Sequence, residues 1–174
     1  MCCESKNIIK IAIAAVILAV LIITFIIITS GNTEERSMNV LVAIAQNGDN
    51  TTLGTTTIKF SKNEILVGSA LSHEEGSSEI KINESGIYQI SYQLYGVQNV
   101  TGTFNFNAIL LVNDDSITDT FNQSPVIRNS TSNRMTLTST VILKLQAGDI
   151  LQLQGVSIED IEYQNARIDI EKIG

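Results

Sequence analysis

Two hydrophobic patterns divide the chain. Residues 11–29 form an unbroken apolar block of nineteen residues without a charge, thirteen of them Ile, Leu, Val or Phe. From about residue 38 onward, apolar residues instead recur in short runs that alternate with polar ones. The block predicts a helix, and at ~1.5 Å per residue it spans roughly 28 Å, the hydrocarbon thickness of a bilayer. Each large apolar residue favours insertion by about 0.3–0.6 kcal/mol, and the contributions sum. A cleaved signal peptide is the competing reading. The block exceeds the usual ~7–15 apolar residues of such a peptide and no clear A-x-A-like site closes it, which favours an uncleaved signal anchor.

Beyond the block, the alternation predicts β-strands. Its clearest stretch is 86–96, with Tyr88, Ile90, Tyr92 and Leu94 on one face and Gln89, Ser91, Gln93 and Tyr95 on the other. The turn residues Asn83-Glu84-Ser85-Gly86 precede it, after a shorter alternating run at 78–82. An apolar run at 104–112 ends in the acidic turn Asn113-Asp114-Asp115. Residues 135–145 set Leu137, Val141, Leu143 and Leu145 against Thr136, Thr138 and Thr140. Ala147-Gly148-Asp149 turns the chain into 150–156, and 166–173 alternates Ile168 and Ile170 with Arg167, Asp169 and Glu171. Segments 40–46 and 55–60 are strand-like, although the first could also extend a helix. About eight strands with no helices between them predict antiparallel sheets packed face to face, a sandwich or jelly roll. The organisation expected is a short tail at 1–10, the span at 11–29, a polar linker at 30–37 and one all-β head at 38–174.

The order of the pieces is more specific than the pattern. Gly86-Ile87-Tyr88-Gln89-Ile90-Ser91-Tyr92 resembles the G-x-Y-x-[IF]-x-[YF] strand of tumour necrosis factor-like and complement-type globular heads. Ala108-Ile109-Leu110-Leu111-Val112-Asn113-Asp114 resembles their apolar strand ending in an Asn-containing turn, and Leu145-Gln146-Ala147-Gly148-Asp149-Ile150-Leu151-Gln152-Leu153 their L-x-[AP]-G-D-x-[ILV]-x-L element. Ile168-Asp169-Ile170-Glu171-Lys172-Ile173 is similar to the closing strand of the C-terminal domain of bacterial collagen-like exosporium glycoproteins. The resemblance implies an antiparallel ten-stranded jelly roll that assembles as a homotrimer. In such trimers an aromatic-rich strand lines the sheet facing the threefold axis, so Tyr88, Tyr92 and Tyr95 are candidates for the trimer interface. For Tyr88 and Tyr92 the core is an equal alternative. No collagen-like Gly-x-y stalk is present, and the short anchor followed directly by a head resembles the layout of the tumour necrosis factor ligands.

Charge and cysteine content narrow the function. A net charge of −7 with scattered cations excludes nucleic acid, which needs a basic patch to release counterions. Lys6 and Lys10 precede the apolar block while Glu34, Glu35 and Arg36 follow it, so the positive-inside rule places the N-terminus in the cytoplasm and the head outside. The expected localisation is a single-pass type II membrane protein. Cys2 and Cys3 are the only cysteines. They sit on the cytoplasmic side of this topology, as candidates for S-acylation. The head is left without disulfides or a Cys-based zinc site.

No catalytic constellation emerges. His73 is the single histidine and reads as an exposed residue of the polar loop Ser72-His73-Glu74-Glu75. No Cys-His or Ser-His arrangement, phosphate-cradling loop or dinucleotide fingerprint accompanies it, which leaves Ser-Lys pairs as the open catalytic alternative. Asp114, Asp115 and Asp119, and Glu159, Asp160 and Glu162, fall in expected loops but match no calcium-loop spacing and read as solvated acidic turns. Sequons occur at Asn50, Asn83, Asn99, Asn122 and Asn129. The expectation is a head without catalytic, metal or cofactor sites that acts as a binding or ligand module toward a protein or glycan partner. A self-assembling coat subunit and a carbohydrate-binding module are the alternatives.

Overall fold

The computed structural model describes residues 38–46, 50–51, 54–98, 102–130, 133–157 and 161–174. The expected span at 11–29, its flanks and linker, Cys2, Cys3 and the sequon at Asn99 lie outside the described residues. The period-two alternation becomes strands β1 (Val40–Ala45), β2 (Asn50–Thr51), β3 (Thr56–Thr57), β4 (Lys62–Val67), β5 (Leu71–His73), β6 (Ile80–Ile82) and β7 (Gly86–Gln98). It continues in β8 (Gly102–Phe104), β9 (Phe106–Val112), β10 (Asp115–Gln123), β11 (Ile127–Ser130), β12 (Asn133–Leu145), β13 (Ile150–Ser157) and β14 (Glu162–Lys172). All the pairings are antiparallel, and ten strands form two five-strand paths, β12-β7-β14-β1-β4 and β10-β9-β13-β6-β5. The short β2 and β3 extend them, and β8 pairs with β11. The described residues are therefore all-β, as expected of the head, with ten strands on the two main paths.

Each sheet buries one face against the other. Leu41, Ala43, Tyr88, Ile90, Tyr92, Leu94, Ile168 and Ile170 come from the first sheet, and Ile80, Ile82, Phe106, Ala108, Leu110, Leu151 and Leu153 from the second. Most are at or near zero exposure, and burying each of the larger ones contributes roughly 1.5–3 kcal/mol. Gly155 makes room for the Tyr163 ring: a Cβ there would lie 2.6 Å from its Cζ. That ring in turn meets Phe106 edge-on at 5.9 Å.

The turns follow from local chemistry. Asn113 and Asp114 both take positive φ, 53° and 67°, the conformation a two-residue hairpin needs to match strand twist. Asn113 Nδ2 donates to Asp149 Oδ1 at 2.9 Å, Asn113 Oδ1 accepts from the Ile150 amide at 2.9 Å, and the Gln146 amide donates to Asp149 Oδ2 at 2.7 Å. The Gln146 amide, with Asn113 after it, holds the Asp149 carboxyl below its ordinary value. This explains why the G-D element pairs with an Asn-containing turn.

The strand reading of 40–46 holds over Val40–Ala45 and the helix alternative falls away. Other expectations are corrected: only Thr56–Thr57 of 55–60 is strand. Asp115 and Asp119 lie on β10, not in a loop, and Glu162 lies on β14. Among the described residues no group of three or more His, Cys, Asp or Glu side chains is placed to hold a metal ion. His73 is not an exposed loop residue: it is 8% exposed on β5. Its Nδ1 lies 2.6 Å from Asn63 Oδ1, and its ring packs edge-on against Phe60 at 6.0 Å. Leu71 and His73 share the inward side of a strand too short to show its period in sequence.

Candidate functional site: the outer face of the first sheet

The register sets outward side chains of the first sheet in rows. Lowest is Val67–Val40–Glu171–Gln89–Ile142, then Ile65–Val42–Asp169–Ser91–Thr140, then Lys62–Ile44–Arg167–Gln93–Thr138. Asn165–Tyr95–Thr136 follows above. Read down the strands, the rows become columns of distinct chemistry. β4 and β1 are mainly apolar, β14 is charged, β7 offers amides and hydroxyls, and β12 offers threonines with Ile142 below them. Ile65, Val67 and Ile142 are 44%, 46% and 59% exposed.

The charged column is organised. Arg167 grips Asp169 with two nitrogens, Nε to Oδ2 at 2.9 Å and Nη2 to Oδ1 at 2.8 Å, and reaches Glu64 Oε2 with Nη1 at 2.9 Å. The Asp169 carboxylate raises the already high guanidinium pKa further. Half-exposed pairs of this kind contribute only about 0–1 kcal/mol, so their effect is to hold these three side chains in place and neutralise them locally. The face as a whole is balanced: Lys62, Lys144, Arg134 and Arg167 face Glu64, Glu162, Asp169 and Glu171, although the chain carries −7.

Two open concavities lie on this face. The larger, about 730 Å³, is framed by Ile44, Gln93, Tyr95, Thr136, Asn165 and Arg167. The smaller, about 510 Å³, is framed by Ser91, Thr138, Thr140, Arg167 and Asp169, with Ser91 Oγ 2.9 Å from Thr140 Oγ1. Neither holds a histidine or a cysteine. Their walls offer amides, hydroxyls and the Arg167–Asp169 pair.

The aromatic candidates separate. Tyr95 is half-buried on the outer face and walls the larger concavity. Tyr88 and Tyr92 point between the sheets. The Tyr88 hydroxyl donates to the Glu84 carbonyl at 2.6 Å, and the Tyr92 hydroxyl to the Thr120 carbonyl at 2.6 Å. Burial pushes the Tyr92 phenol up to about 12. Val40, Val42, Ile44, Ile65, Val67 and Glu64 join the face without having been singled out in sequence. The available signal was the run Val40-Leu41-Val42-Ala43-Ile44-Ala45, apolar on both sides of its strand.

No family model and no curated protein matches the chain. Among solved structures, the globular domain of the zebrafish complement 1qA protein superposes with a TM-score of 0.56 at 10% identity, over 79% of this chain and 98% of that one. Murine APRIL, solved at pH 5.0, does so with a TM-score of 0.52 at 14% identity, over 78% of this chain and 99% of that one. The head has the jelly-roll fold of complement-type and tumour necrosis factor-like domains. In this jelly roll the site is the outer face of the β12-β7-β14-β1-β4 sheet.

Proposed function

We propose that the chain is a membrane-tethered, homotrimeric jelly-roll head that acts as a non-enzymatic binding module outside the cytoplasm, its copies packed through the outer face of the first sheet. One observation carries the reading. β1 is apolar on both sides, although the second sheet covers only one of them. Leu41, Ala43 and Ala45 face the core, whereas half-buried Val40 and Ile44 and the covered Val42 lie on the outer side, where Val40 and Val42 adjoin exposed Val67 and Ile65. Exposed Ile65 and Val67, backed by this apolar side of β1, form the apolar surface that would mark an interaction site. The balanced charge of the face suits contact between copies, since an acidic chain otherwise repels itself. Complement-type and tumour necrosis factor-like heads form trimers and bind ligands, which supports the same use here. The apolar block at 11–29 supports the tether, and the flanking charges support the orientation.

Light scattering of residues 38–174, which form a compact unit, tests the assembly. The expected mass is that of three copies, and a monomer mass overturns the trimer.

A further inference from the structure

The β9–β10 ladder breaks its register between Ile117, opposite Leu110, and Asn122, opposite Ala108, so extra residues of β10 arch out of the sheet. The arch is built rather than slack. Thr120 at its base is fully buried. Its Oγ1 accepts from the Leu110 amide at 2.9 Å and donates to the Ile117 carbonyl at 2.6 Å, replacing the lost ladder bonds. Its carbonyl accepts from the Tyr92 hydroxyl at 2.6 Å. Asn122 Nδ2 donates to the Thr138 carbonyl at 2.5 Å, tying the arch to the edge of the first sheet. What this framework presents is Phe121, 49% exposed, with exposed Asp119 two residues before it.

We infer that Phe121 of one copy seats in the Tyr95 concavity of the next, with Asp119 beside it. The inference rests on the trimer reading above. Three features select a second copy as the occupant. Phe121 lies beyond the β12 edge and the concavity lies on the sheet face, so one copy offers knob and hole on separate surfaces, the condition for a closed ring of head-to-tail contacts. The bond from Asn122 to Thr138 sets Phe121 at the height of the Lys62–Ile44–Arg167–Gln93–Thr138 row, which borders the concavity. A ring whose axis runs along the strands keeps that height from copy to copy. The charges also complement one another: Lys62, opposite Ile44, and Arg134, two residues before Thr136, stand next to lining residues of the concavity. Neither forms an ion pair among the described residues, and neither does Asp119.

The test uses the full chain in detergent, with Cys2→Ser and Cys3→Ser as background, carrying Phe121→Cys together with Asn165→Cys. Asn165 is on β14, two strands in from β12 and so roughly 10 Å from it, beyond the ~7 Å Cα separation that a disulfide within one copy allows. Mild oxidation is expected to give a covalent trimer on a non-reducing gel, with either single variant giving none. Phe121→Ala is expected to raise the trimer dissociation constant tenfold or more with the far-ultraviolet circular dichroism unchanged. A particle that light scattering shows to be trimeric, yet that forms no disulfide and is indifferent to Phe121→Ala, overturns this contact and leaves the trimer standing. A monomeric particle overturns both.

Discussion

Tyr92 and Tyr95 stand three residues apart on β7 and serve opposite sides of it. Tyr92 is 3% exposed, and its hydroxyl is spent on the Thr120 carbonyl of the facing sheet. Tyr95 faces outward, half-buried, with the concavity beside it. The same residue type on the same strand fills the core in one place and walls a surface concavity in the other, because strand pleating alone assigns the side. The inner face must be satisfied within one copy. On the outer face the charges balance in number, but only Arg167, Asp169 and Glu64 are joined in ion pairs among the described residues.

The contrast predicts a graded response to mutation. Tyr92→Ala empties a large volume between the sheets and strands the Thr120 carbonyl. By analogy with other aromatic truncations it is expected to cost about 3–5 kcal/mol in chemical denaturation. A loss under about 1 kcal/mol would mean that the two faces do not differ as described. Thr120→Val keeps the shape but leaves the Leu110 amide without its acceptor. A buried unsatisfied donor costs about 1–3 kcal/mol, and hydrogen exchange at Leu110 is expected to accelerate. Arg167→Ala, on the outer face, is expected to change monomer stability by no more than about 1 kcal/mol, since its carboxylate partners are half-exposed. Its effect on thermal melting measured well below the assembly concentration should be the smallest of the three.

The inner face was the legible part of the fold. Tyr88, Ile90, Tyr92 and Leu94 against Gln89, Ser91 and Gln93 gave a polarity contrast, and so did Ile168 and Ile170 against Arg167 and Asp169. The strands that escaped lack that contrast for physical reasons. β4 is an edge strand whose Ile65, Leu66 and Val67 are all exposed, so polarity does not report its sides. β10 breaks its register midway and is mostly polar. His73 escaped because a three-residue strand shows no period. The face itself was half legible: the charges of β14 and the position of Tyr95 could be read, but Glu64 joins Arg167 from 103 positions away in sequence, a distance no local pattern spans. β1 looked ambiguous for the reason that makes it informative, since apolar residues on both sides erase the period.

The pairing of β1 with β14 also has a mechanical side. Val40 lies opposite Glu171, and the Lys172 amide donates to the Asn39 carbonyl at 3.0 Å. The chain therefore enters and leaves the head at the same end. A pull between those two points peels the β1–β14 ladder one pair at a time, whereas a pull between the entry point and the far end of the sandwich loads its six residue pairs together. A head held at its N-terminal side and tugged by something gripping the opposite end resists in the second, stiffer way.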